Sequence, residues 1–149
     1  MSTISSTVPA LAAALALGFA TPAAAVEIGQ IKVVKGQVSI ERNGQAYPGN
    51  VGMRVETSDI LRTGSDGSVG VTMKDDSLLS AGPNSVLSLD RYDFDPVTNN
   101  GHFDAQLKKG SLAVISGRIA KQAPDAMTIR TPSAILGVRG TEFVVNASD

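Results

Sequence analysis

Gln37-Val38-Ser39-Ile40-Glu41-Arg42-Asn43-Gly44 decides the fold class. Val38 and Ile40 alternate with polar neighbours at a period of two, which puts them on one face of a strand. The run ends in Asn-Gly, a pair that tolerates positive φ at both positions and so reverses a strand in a tight hairpin. Upstream, Gln30-Ile31-Lys32-Val33-Val34 runs into Lys35-Gly36. Downstream, Tyr47-Pro48-Gly49 reads as a break, and Asp59-Ile60-Leu61-Arg62-Thr63 leads into the turn Gly64-Ser65-Asp66-Gly67. Val69, Val71 and Met73 alternate, Asp75-Asp76 marks a turn before Leu78-Leu79, and Gly82-Pro83-Asn84 breaks the chain again. Leu87 and Leu89 share a face, and Asp93 to Gly101 reads as the longest surface loop. Strands are then expected over His102–Leu107 and Ser111–Ser116, with a turn at Lys108-Lys109-Gly110 between them. A linker through Pro124 precedes Met127–Thr131, Ile135–Val138 and Phe143-Val144-Val145. Short apolar runs between turn residues predict an all-β fold, in a twisted solenoid-like or sandwich-like arrangement. No amphipathic crossover helix separates the strands, which argues against parallel α/β.

The first 25 residues read differently. Met1 to Ala25 carries no Asp, Glu, Lys or Arg, and Ala10 to Ala20 is almost wholly apolar. Thr21-Pro22 breaks the run, Ala23-Ala24-Ala25 follows, and the first acid is Glu27. An apolar core, a breaker and an A-x-A site predict a secretory signal peptide cleaved between Ala25 and Val26. The n-region departs from the pattern by lacking Lys or Arg. The apolar run is about half of the roughly 20 residues a spanning helix needs, so no transmembrane segment is expected in the mature form. The predicted organisation is a signal peptide over 1–25 and one all-β domain over 26–149. The expected location is periplasmic or secreted.

Thirteen basic residues face fourteen acidic ones, a net charge of −1. A nucleic-acid binder needs a basic excess on one face, and a membrane-surface binder a polybasic patch; neither is present in the sequence. There is no cysteine, which excludes a lipoprotein anchor, thiolate catalysis and thiolate metal sites, and leaves an apolar core as the source of stability.

The chemistry-bearing residues are sparse. His102 is the only histidine and stands in no recognisable nucleophile or metal spacing, so it reads as an ordinary strand-edge residue. Asp90, Asp93, Asp95 and Asp104, with Asn99 and Asn100, form the one oxygen-rich stretch. Pro96 interrupts any calcium-loop spacing and no Glu closes it, so a solvated loop is expected rather than a calcium site. Asp75 and Asp76 are adjacent and would point to opposite faces of a strand, so they read as a turn and not as a glycosidase pair. Gly64 to Gly67 is too short for a phosphate loop. No catalytic, cofactor or metal site is therefore predicted.

Three stretches together resemble the FecR domain of bacterial envelope proteins: Gly49-Asn50-Val51-Gly52 through Asp59 to Val69; Leu107 to Leu112; and Ile129-Arg130-Thr131-Pro132-Ser133-Ala134 through Val138-Arg139-Gly140-Thr141-Glu142-Phe143. The third is the most specific, and the similarity spans roughly Gly36 to Val145. The resemblance implies an all-β domain in the envelope. In the iron-uptake regulators that name the family, the domain receives a signal in the periplasm and a cytoplasmic part controls a sigma factor. This chain has no such cytoplasmic part ahead of its hydrophobic segment and ends at Asp149, so it resembles the stand-alone form, and the sigma-regulating role is not carried over. Thr131, Pro132, Arg139, Gly140, Thr141 and Phe143 carry the motif and are expected to act structurally or in partner binding. Gly140, between two polar residues, suggests positive φ or a bulge. Arg139 has the donors to pair with a carboxylate. The expected function is a non-catalytic binding or regulatory module whose partner is another envelope protein or a cell-wall glycan, met by a sheet face or an edge strand. The alternative is a structural or self-associating envelope component.

Overall fold

The computed structural model describes residues 16, 18, 26–138 and 142–148. Apart from Ala16 and Gly18, the predicted signal peptide, Ala25 included, lies outside the described residues; so do Arg139, Gly140 and Thr141. Among the described residues the chain forms β1 (Glu27–Lys35), β2 (Val38–Arg42), β3 (Gln45–Pro48), β4 (Arg54–Glu56), β5 (Ile60–Thr63), β6 (Ser68–Met73), β7 (Leu78–Ala81), β8 (Val86–Phe94), β9 (Gly101–Ile115), β10 (Met127–Arg130), β11 (Ile135–Gly137) and β12 (Glu142–Ala147). A short helix, α1 (Arg118–Gln122), and a 3₁₀ turn at Pro124–Ala126 lie between β9 and β10.

The strands follow one curled path, β3-β2-β5-β8-β9-β7-β6-β1-β4. The first part of β9 pairs with β8 and, in parallel, with β10, which carries β11; its last part pairs with β7 and β12. Two half-sheets therefore share β9 and close on one core. The alternation read from the sequence supplies that core: Val38 and Ile40, Val69, Val71 and Met73, and Leu87 and Leu89 are all buried in a single cluster. The all-β reading holds, and the strands form one curled sheet, a half-barrel. Asn43 (φ 52°) and Gly44 (φ 77°) both take the positive φ that the Asn-Gly hairpin requires.

The structure corrects four local expectations. Lys108-Lys109-Gly110 is no turn, because β9 runs through it without a break. Pairing on both sides holds the strand together, and Gly110 supplies only a bend. Tyr47-Pro48 lies within β3 and not in a break; β3 is the end of the path, where a proline costs no ladder bond. The predicted loop at Asp93–Gly101 shrinks to Asp95–Asn100 as β8 and β9 extend into it. The linker before Pro124 holds α1.

Gly110 is where β9 passes from one half-sheet to the other. Its φ is +92°, and a Cβ there would overlap Ser85. The Ser111 N–H donates to Ser85 Oγ at 3.0 Å, so the two backbones meet closely. Gly110→Ala is expected to cost well over about 1 kcal/mol, since both the left-handed backbone and the contact oppose a methyl group. Gly137, whose Cβ would meet nothing within 4 Å, is the control; Gly137→Ala should leave the urea midpoint nearly unchanged.

Candidate functional site

The turn read from Asp75-Asp76 is present, with Asp76 at φ 69°. Its first residue is nevertheless fully buried, as is Ser77. The Asp75 carboxylate is met by donors on three elements. Tyr92 Oη of β8 donates to Oδ1 at 3.0 Å, and Ser77 Oγ donates to Oδ2 at 2.7 Å. The Ile119 N–H at the start of α1 donates to Oδ2 at 3.2 Å. In return, the Asp75 N–H donates to Tyr92 Oη at 2.8 Å, the Gly117 N–H to Ser77 Oγ at 3.0 Å, and the Arg118 N–H to the Asp75 carbonyl at 2.7 Å. A Cβ at Gly117 would collide with Asp75 and Ser77, so a glycine there lets the β9–α1 junction close over the turn. Burial, and then the neighbouring Asp75 charge, push the Tyr92 phenol well above its ordinary range. The Tyr92 ring meets Phe103 edge-on at 5.1 Å. Arg118 lies 4.9 Å over the Phe94 ring, donates to the Lys74 carbonyl at 3.2 Å and stands 3.2 Å from Asp76.

Tyr92, held by this knot, and its neighbour Phe94 line a groove of about 1010 Å³. Ile28, Tyr92 and Phe94 give it an apolar lining; Glu27, Lys74, Asp90, Arg91, Asp93, Asp95 and His102 bring polar groups to it, and Val26 stands at its start. The Asp95–Asn100 loop holds its own shape: the Asp95 carboxylate accepts the Val97 N–H at 2.9 Å, and the Asn99 N–H donates to the Asp95 carbonyl at 2.8 Å. Asp93 lies across the ladder from His102 and pairs with Arg91 at 3.1 Å. Four carboxylates against Lys74 and Arg91 line the groove, which suits a neutral or cationic ligand and repels a phosphate-rich one.

A second buried carboxylate, Asp59, ties the opening hairpin to the next turn. Arg42 grips it in two places, Nε to Oδ1 at 2.9 Å and a terminal nitrogen to Oδ2 at 2.7 Å, and also pairs with Glu56 at 3.1 Å. The Glu56 N–H adds a bond to Asp59 at 2.8 Å. The hydrogen bond to Asp59 raises the Arg42 pKa above its ordinary value.

The described family-motif residues do not converge on the groove, whereas His102, Asp90, Asp93, Asp95 and Asn100 of the sequence reading do line it. Thr131 and Pro132 open the β10–β11 hairpin: the Ala134 N–H donates to Thr131 Oγ1 at 3.1 Å, and Pro132 is exposed. Phe143 is half-buried in β12 and packs on the core. Val26, the expected mature terminus, is exposed at the groove. The oxygen-rich residues are largely hydrogen-bonded or ion-paired: Asp90 with Ser88, Asp93 with Arg91, and Asp104 with Thr128. No group of three His, Asp or Glu is gathered for a metal among the described residues. Sequence reading missed Asp75, Tyr92 and Arg42. The available signal was an acid following the alternating strand Val69–Met73 with no break, but its partners lie 17 and 44 residues away.

A family model described as FecR protein matches residues 59–149. It contains the two later stretches of the resemblance and the part of the first from Asp59 onward. No curated protein and no solved structure matches. No helix among the described residues is long and apolar enough to cross a membrane.

Proposed function

The chain belongs to the FecR family, a regulatory family associated with the envelope, and from that premise we propose that it is an exported, non-catalytic module that binds a protein or cell-wall partner in the groove beside β8 and β9. The groove is the observation that carries this reading. Its lining joins apolar floor residues with hydrogen-bonding side chains, the composition of a recognition surface. Its wall is braced by the Asp75 knot, so little ordering is needed on binding. A non-catalytic role is supported by the sequence, in which His102 stands in no recognisable nucleophile or metal spacing. The excess of carboxylates favours an uncharged glycan or a cationic peptide segment over nucleic acid or anionic lipid.

A photo-reactive residue placed at His102, in cells, tests this. The expected adduct is an envelope protein or peptidoglycan, recovered from the periplasmic or secreted fraction. The same probe at Arg62, on an outer sheet face, should give none, and Asp93→Lys should weaken the adduct about tenfold by reversing the local charge. Equal adducts from both positions, or a protein confined to the cytosol, would overturn the proposal.

A further inference from the structure

Among the described residues, β3, β4, β11 and β12 each have a paired neighbour on one side only. A free edge presents a row of unpaired N–H and C=O groups, and natural sheets blunt it with short length, proline, charge or a bulge. β3 has four residues and ends on Pro48. β4 has three, and its Glu56 and Arg54 are ion-paired with Arg42 and Glu27. β11 also has three. β12 differs from all of these. Glu142-Phe143-Val144-Val145-Asn146-Ala147 is six residues long, with no proline, glycine, lysine or arginine and a single acid at its start. It keeps register with β9 from end to end, with no bulge to turn the edge aside.

The core runs out to this edge. Val145 is buried, and Phe143 and Ala147 pack on the core while only partly covered. On the opposite face Val144 is 66 % exposed. Water satisfies the free backbone groups but leaves Phe143 and Val144 uncovered. An added strand does both, since it pairs its backbone with the edge and lays side chains beside those two residues. We propose that β12 takes up an extended segment of another polypeptide as a further strand of the sheet. The chemistry of the edge selects that occupant. A glycan lacks the alternating N–H and C=O groups at strand spacing that the edge demands. The inward side chains of the segment are apolar, continuing the layer of Phe143, Val145 and Ala147. Glu142 is the one charge on β12, so the outward position beside it is basic and sets the register. No residue of β12 lines the groove, so this site does not depend on what the groove binds.

The probe is a labelled peptide of about eight residues that alternates valine with threonine and carries one lysine in the threonine set. Its control is the same peptide methylated on every backbone nitrogen, which keeps the side chains and loses the donors. Fluorescence anisotropy over about 1–500 μM, on the chain as recovered from expressing cells, should show saturable binding of the first peptide and none of the second. Amide hydrogen exchange should gain protection at alternate residues of β12, and not in β3 or β11. Replacing the peptide's lysine by glutamate should weaken binding about threefold, and Glu142→Lys should reverse that preference, which a merely unfolded variant could not do. No binding of the first peptide, equal binding of both, or protection outside β12 would overturn the proposal. So would pairing of β12 with a second copy of the chain that the peptide does not displace.

Discussion

Asp75→Ala is expected to lower the free energy of unfolding by about 3–5 kcal/mol, a large share of the roughly 5–15 kcal/mol a domain has. The substitution removes no large apolar surface. Its effect comes from what it leaves behind. Tyr92 Oη, Ser77 Oγ and the Ile119 N–H all donate to this one carboxylate, and each becomes a buried donor without an acceptor, at about 1–3 kcal/mol apiece before relaxation. The loss is read as a drop in urea midpoint. An unchanged midpoint would mean that water replaces the carboxylate at no cost.

The same knot sets a pH dependence. Burial first, and the Asp75 charge second, favour the neutral Tyr92 phenol, so its folded pKa lies above the unfolded value near 10. Below about pH 10 both states hold the proton and the contribution to stability is complete. Above it the unfolded chain releases the proton while the folded chain keeps it, so stability falls as pH rises, by at most about 1.4 kcal/mol per pH unit. Tyr92→Phe should be less stable at neutral pH by roughly 1–2 kcal/mol from the lost hydrogen bonds. Its stability should also fall less steeply above pH 10 than that of the natural chain. Parallel slopes would show that the phenol ionises freely.

Arg42→Ala is the second large effect, again about 3–5 kcal/mol, because it strands the buried Asp59 carboxylate with little beyond the Glu56 N–H. Here the comparison with a double variant is decisive. Arg42→Met with Asp59→Leu removes both charges and keeps apolar bulk, so it should cost much less than Arg42→Ala alone. If the double variant is as unstable as the sum of the two single ones, the pair is not acting as a unit. Asp59 opens the stretch matched to the family, so this result also says why an acid stands at that place: it fastens the β4–β5 turn to the β2–β3 hairpin.

Much of the fold was legible along the chain. Alternation needs only neighbours two residues apart, and it located the buried faces of β2, β6 and β8; Asn43-Gly44 carried its hairpin in its own backbone preference. The polar residues were not legible in the same way. Asp75 and Asp76 are chemically alike, yet one is sealed in the core and the other exposed, because only the first lies where Tyr92, Ser77 and the start of α1 come together. Lys108-Lys109-Gly110 has the composition of a turn, yet β9 runs through it, paired on both sides, with only a bend at Gly110. Sequence alone settled the secondary-structure class and the inward faces, since those follow from local geometry and the aversion of apolar side chains to water. Tertiary structure alone decided which acids are buried and where the groove opens, since each depends on donors or walls contributed by residues far apart in the chain.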